Sequence, residues 1–438
     1  MAKTSQKLCN ALFVLPENLV FCKKSFVENR TTSPSTSPRN ATMKALGTFL
    51  MEDFLEHYRF QSQYNAGESG GRPRRIEDIL CASNLTPSQA SALFLKTSLC
   101  DSPNWGRSDL RQMIANFHPQ AQEENVLITT GTSEALFLLF RYLQPQKVAL
   151  ALPGFQLLYE IPKAMGAHIV PLPVRFDYRG APFVDEEEWM TLLIQTRPDC
   201  IVINNPHNPS GLVLRQHFLH RLLEIATNAN VIADEHYRFL SSHTQTLGET
   251  LYQHNKTFVT GSFVKCLGVP GLRIGWCVGP AQALKFLQNE KNYTTHTVNP
   301  LSEWISVEVL KNLNSPLFKQ VQKEWLENKK ILQNFLNHSQ TFYGKAPEGG
   351  LVSCLGFQSV RTQKECDLFT KKLLDNFIFA LPLKSMEFGR FCFQNPDQLK
   401  TAEMSFLNKG FGVRWGLGMK PKELQKALEK AEKLLIRI

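Results

Sequence analysis

Several features that would mark large protein classes are missing from this 438-residue chain. No apolar stretch approaches the ~20 residues a membrane-spanning helix requires, so a soluble protein is expected and no membrane partner. The ten cysteines stand singly, at 9, 22, 81, 100, 200, 266, 277, 354, 366 and 392, without a CxxC pair or a secretory signal. That pattern excludes a recognisable zinc-ligand spacing, gives no metal site and fits reduced thiols in a cytosolic setting. No RNP-like aromatic run occurs, and no repeat of fixed period, so neither an RNA-binding module nor a solenoid is expected. Acidic residues fall short of basic ones, leaving a formal charge of +10, but residues 1–44 alone carry seven Lys/Arg against two Glu. Half of the excess therefore sits in one terminal stretch, and nucleic acid is not an expected partner.

What is present reads as ordinary globular protein, with 43% apolar and 20% charged residues. The length calls for more than one small domain. Residues 1–44, with the Ser/Thr/Pro cluster TTSPSTSPRNAT at 31–42, read as a tail: disordered, a targeting segment, or the product of an upstream start codon, since Met43 and Met51 both precede the first convincing helix. That helix is MEDFLEHYRF (51–60), and the loop GESGGRPRR (67–75) follows it. Between about 125 and 280, short β-branched runs alternate with helical segments: VLIT, VALAL, HIVPLPV, CIVIN, VIADE, FVTGSF and RIGWCVG. The alternation predicts an α/β fold with a mainly parallel, seven-stranded sheet flanked by helices. After Pro300, helical patterns at 301–313, 316–338, 363–377 and 420–436, with strand-like pieces near 351–357 and 411–417, predict a smaller α+β domain. The expected division is a large domain at 86–300 and a small one built from 45–85 plus 301–438.

Open α/β sheets bind ligands beyond the carboxyl ends of their strands, and four such ends carry reactive residues. In GSFVKCLGVPGLRIGW (261–276), Ser262, Lys265 and Arg273 leave a strand together. An amine beside a hydroxyl and a guanidinium suits a phosphate-bearing group, although a lone loop lysine is usually only solvated. VIADEHYRF (231–239) delivers Asp234 and Tyr237 after an apolar strand, where a carboxylate is costly to bury without a cation; an acidic helix cap is the plain alternative. INNPHNPSG (203–211) offers Asn208 as an amide donor, while His207 in the same run reads as structural. TTGTSEALFLLFRYL (129–143) opens a helix at Gly131, Thr132 and Ser133, whose free N–H groups suit a phosphate as well as a simple helix start.

The four motifs in this order resemble the fold-type I pyridoxal-phosphate enzymes, the class I/II aminotransferases, from about Met51 to the C-terminus. The resemblance implies pyridoxal 5′-phosphate as cofactor, with Lys265 as the Schiff-base lysine that later moves the α-proton. It places Asp234 on the ring nitrogen, Tyr237 and Asn208 on the phenolic oxygen, and Ser262, Arg273, Gly131, Thr132 and Ser133 around the phosphate. It makes Phe155, in ALPGFQLLYE (151–160), the ring-stacking aromatic, and Arg414, in GFGVRWGLG (410–418), the contact for the substrate α-carboxylate. One position departs from the pattern. DSPNWGRSDLR (101–111) puts Asp101 where many relatives carry a tyrosine that reaches the neighbouring subunit's phosphate. A carboxylate repels that dianion, so Asp101 is expected to face a cationic part of the substrate. The same departure, with GESGG and GVPGLRIGWC, is similar to the branch that includes capreomycidine synthase. A cytosolic homodimer that moves amino groups between an amino acid and a 2-oxo acid is the leading expectation. An elimination and cyclisation of a hydroxyarginine-type substrate comes second, and a non-enzymatic binding protein that keeps the fold third.

Overall fold

In the computed structural model, residues 44–82, 85–241, 256–386 and 405–436 are described; the terminal tail, Lys44 apart, lies outside them. All seven expected strands form: β1 (Val126–Thr129), β2 (Lys147–Leu152), β3 (His168–Pro173), β4 (Cys200–Asn204), β5 (Asn230–Glu235), β6 (Thr257–Gly261) and β7 (Gly275–Val278). They make one sheet in the order β1-β7-β6-β5-β4-β2-β3. Within it β2, β3, β4, β5 and β6 pair in parallel, whereas β7 runs antiparallel to both β6 and β1. That one reversal matters for the site: the start of β7 lies at the edge where its neighbours end, so Arg273 meets residues that follow β1, β5 and β6.

Burial on both faces explains why the strands read as unbroken apolar runs. Along β4, Ile201 and Ile203 face a layer containing Trp189, Phe218 and Leu222, while Val202 faces a second layer with Leu139, Phe140, Leu150 and Tyr159. The layers come from helices on opposite sides, among them α5 (Thr132–Leu143) and α6 (Gln156–Ala164) on one and α7 (Glu186–Thr196) and α8 (Gln216–Ile225) on the other. Each fully buried aliphatic or aromatic side chain contributes about 1.5–3 kcal/mol.

A second, four-stranded antiparallel sheet has the order β8-β9-β11-β10, where β8 is Phe342–Gly344, β9 Val352–Phe357, β10 Leu381–Pro382 and β11 Gly412–Gly416. Helices α11 (Pro316–His338), α12 (Gln363–Asp375) and α13 (Pro421–Leu435) accompany it, close to the ranges read from the sequence. The N-terminal α1 (Leu50–Tyr58) runs into Tyr64–Asn65, which pairs in parallel with Ile378–Phe379. The glycine-rich loop that follows therefore leaves the C-terminal half of the chain and reaches the lysine loop: the Gly71 amide donates to the Lys265 carbonyl at 2.6 Å.

Contact between β7 and the turn after β1 leaves no room for a side chain. A Cβ at Gly275 would lie 2.5 Å from both the Gly131 carbonyl carbon and the Thr132 nitrogen. Gly275→Ala is accordingly expected to cost about 1–3 kcal/mol through overpacking, measured as a lowered midpoint in urea or thermal unfolding.

Candidate active site

Strand register builds the centre of the site. Asp234, near the end of β5, stands directly between Asn204 on β4 and Thr260 on β6. Side chains of in-register residues point to the same face, so both neighbours reach the carboxylate: the Thr260 hydroxyl donates to Oδ1 and the Asn204 amide to Oδ2, each at 2.9 Å. No cation pairs with this buried group among the described residues. Burial pushes its pKa up to about 6 despite the two donors. A carboxylate held this way fits a protonated ring nitrogen, which would supply the missing charge.

Around it lies a cavity of about 270 Å³ lined by Lys265, Asp234, Asn208, Tyr237 and Phe155, and by Gly131, Thr132, Ser133 and Arg273. Nine of the residues singled out in the sequence thus converge. Lys265 sits in a short helical turn, Val264–Leu267, just beyond β6; its Nζ donates to the Ser69 hydroxyl at 3.2 Å. Burial lowers its pKa, opposed by the charges of Glu68 and Glu52 and reinforced by Arg414 and Arg273. A lysine so placed holds a larger neutral fraction than a solvated one, as a nucleophilic amine needs.

Arg273 ends the turn Pro270–Leu272 in a left-handed conformation, φ 49°, which turns the chain into β7. Its guanidinium packs against Gly131, where an added Cβ would meet Nη2 at 2.9 Å. It has no ion-pair partner among the described residues. Next to it the first N–H groups of α5 lack intrahelical acceptors, so guanidinium and helix terminus form one anion cradle that fits a phosphate.

Three sequence-selected residues lie elsewhere. Ser262 is fully buried and does not line the cavity; its hydroxyl donates to the Ile274 carbonyl at 2.7 Å and accepts from the Val264 amide. Arg414, in the middle of β11, stands behind the cavity wall. Fully buried, it donates to Asn208 Oδ1 (3.2 Å), the Gly67 carbonyl (2.6 Å) and Met51 Sδ (3.3 Å). No carboxylate pairs with it among the described residues, and its buried Nε has no partner. Asp101 is exposed, accepts from Thr297 at 3.3 Å and does not line this cavity.

Tyr237 is buried, with its hydroxyl donating to the Ser69 carbonyl at 2.9 Å and its pKa pushed up to about 12 by burial. His207 is buried against Ser210 at 2.8 Å and held down to about 4, in keeping with a structural role. Sequence reasoning missed Ser69, Asn204, His236, Glu52, Met51 and Phe49, which also line the cavity. The signal that could have found His236 is its place two residues beyond Asp234, just past the strand end. No local pattern points to Ser69 or to the α1 residues, which arrive from almost 200 positions away.

Known proteins resemble this chain in sequence and in fold. Residues 96–403 match the family described as Aminotransferase class I and II. Capreomycidine synthase of Streptomyces vinaceus is 26% identical over 328 residues, covering 73% of this chain and 82% of its own length. An aspartate aminotransferase of Thermococcus kodakarensis is 27% identical over 326 residues, 74% and 80% of the two chains. Among solved structures, a PLP-dependent aminotransferase from Streptococcus suis superposes with a TM-score of 0.76 at 21% identity over 90% of this chain and 98% of its own. The PLP-dependent cyclase OrfR reaches 0.74 at 21% identity over 92% and 100%.

The buried titratable groups have opposite effects on stability. His236, like His207, is held neutral, pushed down to about 3 mainly by burial. Depressed imidazole values contribute stability that is present above the unfolded value of 6.5 and lost as the pH falls; the raised Asp234 value contributes stability that is lost as the pH rises through about 6. Between pH 6 and 4.5 these three groups together take up about one proton on unfolding, so the cofactor-free protein should lose about 1 kcal/mol per pH unit from them. His236→Asn removes one imidazole and should nearly flatten the dependence relative to the parent protein, measured by urea unfolding across that range.

Proposed function

The chain belongs to the class I and II aminotransferase family, and from that premise we propose that it moves an amino group between an amino acid and a 2-oxo acid. Members of this family work with pyridoxal 5′-phosphate. When bound, that cofactor supplies an electron sink for negative charge developing at the substrate α-carbon and carries the amino group.

The observation that carries the reading is Arg414. A fully buried guanidinium without a carboxylate partner is expensive, and a carboxylate-bearing substrate entering past Asn208 and Met51 would complete it. In this reading Arg414 orients the α-carboxylate, in place of the Met51 contact. Lys265 would take the substrate α-proton with an amine whose pKa burial has lowered. Asp234 holds the ring nitrogen protonated. Tyr237 and Asn208 address the phenolic oxygen, the tyrosine by leaving the Ser69 carbonyl. Phe155 covers the ring, its own ring packed at 5.6 Å from Phe49. Thr132, Ser133 and Arg273 hold the phosphate, and the buried Ser262 supports their loop through Ile274. The division into a large domain at 86–300 and a small one from 45–85 plus 301–438 belongs to the same proposal.

A second reading, elimination and cyclisation of a hydroxyarginine-type substrate, is favoured by Glu52. This carboxylate lines the cavity from α1, with Glu68 near Lys265 and a single Arg59 bridging both glutamates at 3.4 and 3.0 Å. A cationic substrate side chain would be attracted there. The third expectation, a binding protein without activity, is opposed by the lowered-pKa Lys265 facing Asp234 across one cavity.

We place the enzyme in the cytosol as a homodimer. Among the described residues no helix is long and apolar enough to cross a membrane. An exposed apolar strip, Leu93, Phe94, Leu95 and Leu99, leads to Asp101, so a second copy covering the strip would lie beside Asp101. Light scattering that shows a monomer at micromolar concentration removes the dimer and, with it, the role of Asp101.

Purified protein loaded with the cofactor should convert one class of amino acid to its 2-oxo acid, with turnover only when a 2-oxo acid acceptor is added, followed by mass spectrometry and visible absorbance. Lys265→Ala abolishes this, and Arg414→Lys lowers kcat/KM for every donor by about 10²-fold. Product formed from a hydroxylated arginine without an acceptor, by loss of water, transfers the assignment to the second reading. A colourless protein unresponsive to the whole panel removes both.

A further inference from the structure

His236 has no role in the reading above, yet it faces the cavity between the lysine loop and the anion cradle. Its Nδ1 lies 3.1 Å from the Thr132 hydroxyl oxygen, and its Nε2 has no hydrogen-bond partner among the described residues. Its own carbonyl accepts from Cys266 Sγ at 3.6 Å, which ties the backbone of His236 to the residue after Lys265.

Donor counting decides what this contact does. A phosphate accepts hydrogen bonds, and the N–H groups of α5 and the Arg273 guanidinium can only donate. The Thr132 hydroxyl is the exception, because its single hydrogen can point to an anion or to an unprotonated imidazole nitrogen. If Nδ1 is the bare nitrogen, it competes with phosphate for that hydrogen. If Nδ1 carries the proton, it donates to Thr132 Oγ1 and leaves the hydroxyl hydrogen for the anion. Burial, reinforced by the positive neighbours Lys265 and Arg273, keeps the ring to one proton, so the two arrangements are alternative tautomers and a bound phosphate selects the second.

We propose that His236 is a positioning residue for the phosphate cradle, its Nδ1–H turning the Thr132 hydroxyl toward a phosphate oxygen and leaving Nε2 as a lone-pair acceptor in the cavity. The inference rests on the reading that the phosphate lies at Thr132, Ser133 and Arg273.

The test is equilibrium binding, read by absorbance titration of the cofactor-free protein with pyridoxal 5′-phosphate and, separately, with pyridoxal, which lacks the phosphate. His236→Ala is expected to weaken the phosphorylated ligand by about tenfold and leave pyridoxal unchanged. His236→Asn, whose amide N–H replaces Nδ1–H, restores most of the difference, while His236→Phe, which keeps a ring without the donor, does not. Thr132→Val should cost a similar factor, and adding His236→Ala to it should cost little more, since the two changes remove one interaction. A His236→Phe protein that binds like the parent, or a His236→Ala protein that loses both ligands equally, overturns the proposal in favour of ring packing. Arg273→Gln and Thr132→Val separate the two levels of the argument. If these weaken only the phosphorylated ligand while the His236 variants do not, this inference alone falls. If they leave the preference for the phosphorylated ligand intact, the phosphate lies elsewhere and the underlying site reading falls with it. Unchanged thermal unfolding in His236→Asn at a pH above the imidazole range shows that folding does not limit the comparison.

Discussion

A carboxylate buried at the end of a parallel strand sets the terms for the rest of this structure. Asp234 is desolvated and doubly hydrogen-bonded, and nothing among the described residues neutralises it. Such a group is unfavourable for the folded chain on its own. Its flanking donors, Asn204 and Thr260, are there because the register of β4, β5 and β6 brings them level, and the amine of Lys265 follows from the strand next door. The protein has therefore placed an unmet charge at the centre of its sheet, which is what a site for a cationic heterocycle requires and what a merely stable fold would avoid.

Arg414 mirrors this arrangement with the opposite sign. It is embedded in the second sheet, and among the described residues its hydrogen-bond partners are neutral: a carbonyl, an amide oxygen and a thioether. Two buried charges without an ion-pair partner among the described residues, one anionic on the cavity wall and one cationic behind it, stand on either side of Asn208. On the proposed reading each would be stabilised by a different part of the incoming chemistry, the anion by the cofactor and the cation by the substrate, in a setting where water would weaken neither contact.

Much of this was legible in the chain. All seven strands and the C-terminal helices, Pro300–Leu310 as well as α11, α12 and α13, were readable because burial on both faces of a parallel sheet, or on one face of a long helix, leaves strong periodic signatures. The short helices α2 (Ile76–Ala82), α3 (Pro87–Lys96) and α4 (Ser108–Ala115) were not, since few of their positions are buried and the pattern is weak. Within the site, the residues that follow strands were readable, because strand ends are where such folds act. Ser262 had the right spacing but turned inward, its hydroxyl spent on Ile274. Spacing specifies which residues leave a strand together, and competition for hydrogen-bond partners decides which of them reach the cavity. Ser69 and Glu52 belong to segments whose approach depends on long-range pairing, which no local window contains.

Ser69 also ties distant parts of the chain together. Its hydroxyl meets Lys265 and its carbonyl meets Tyr237, contacts spanning 196 and 168 residues, while neighbouring Gly67 meets Arg414 across 347. Because one residue serves both partners, a displacement of the glycine-rich loop at Ser69 would disturb the amine and the phenol together, and its backbone at Gly67 would carry the disturbance to the guanidinium of the second sheet.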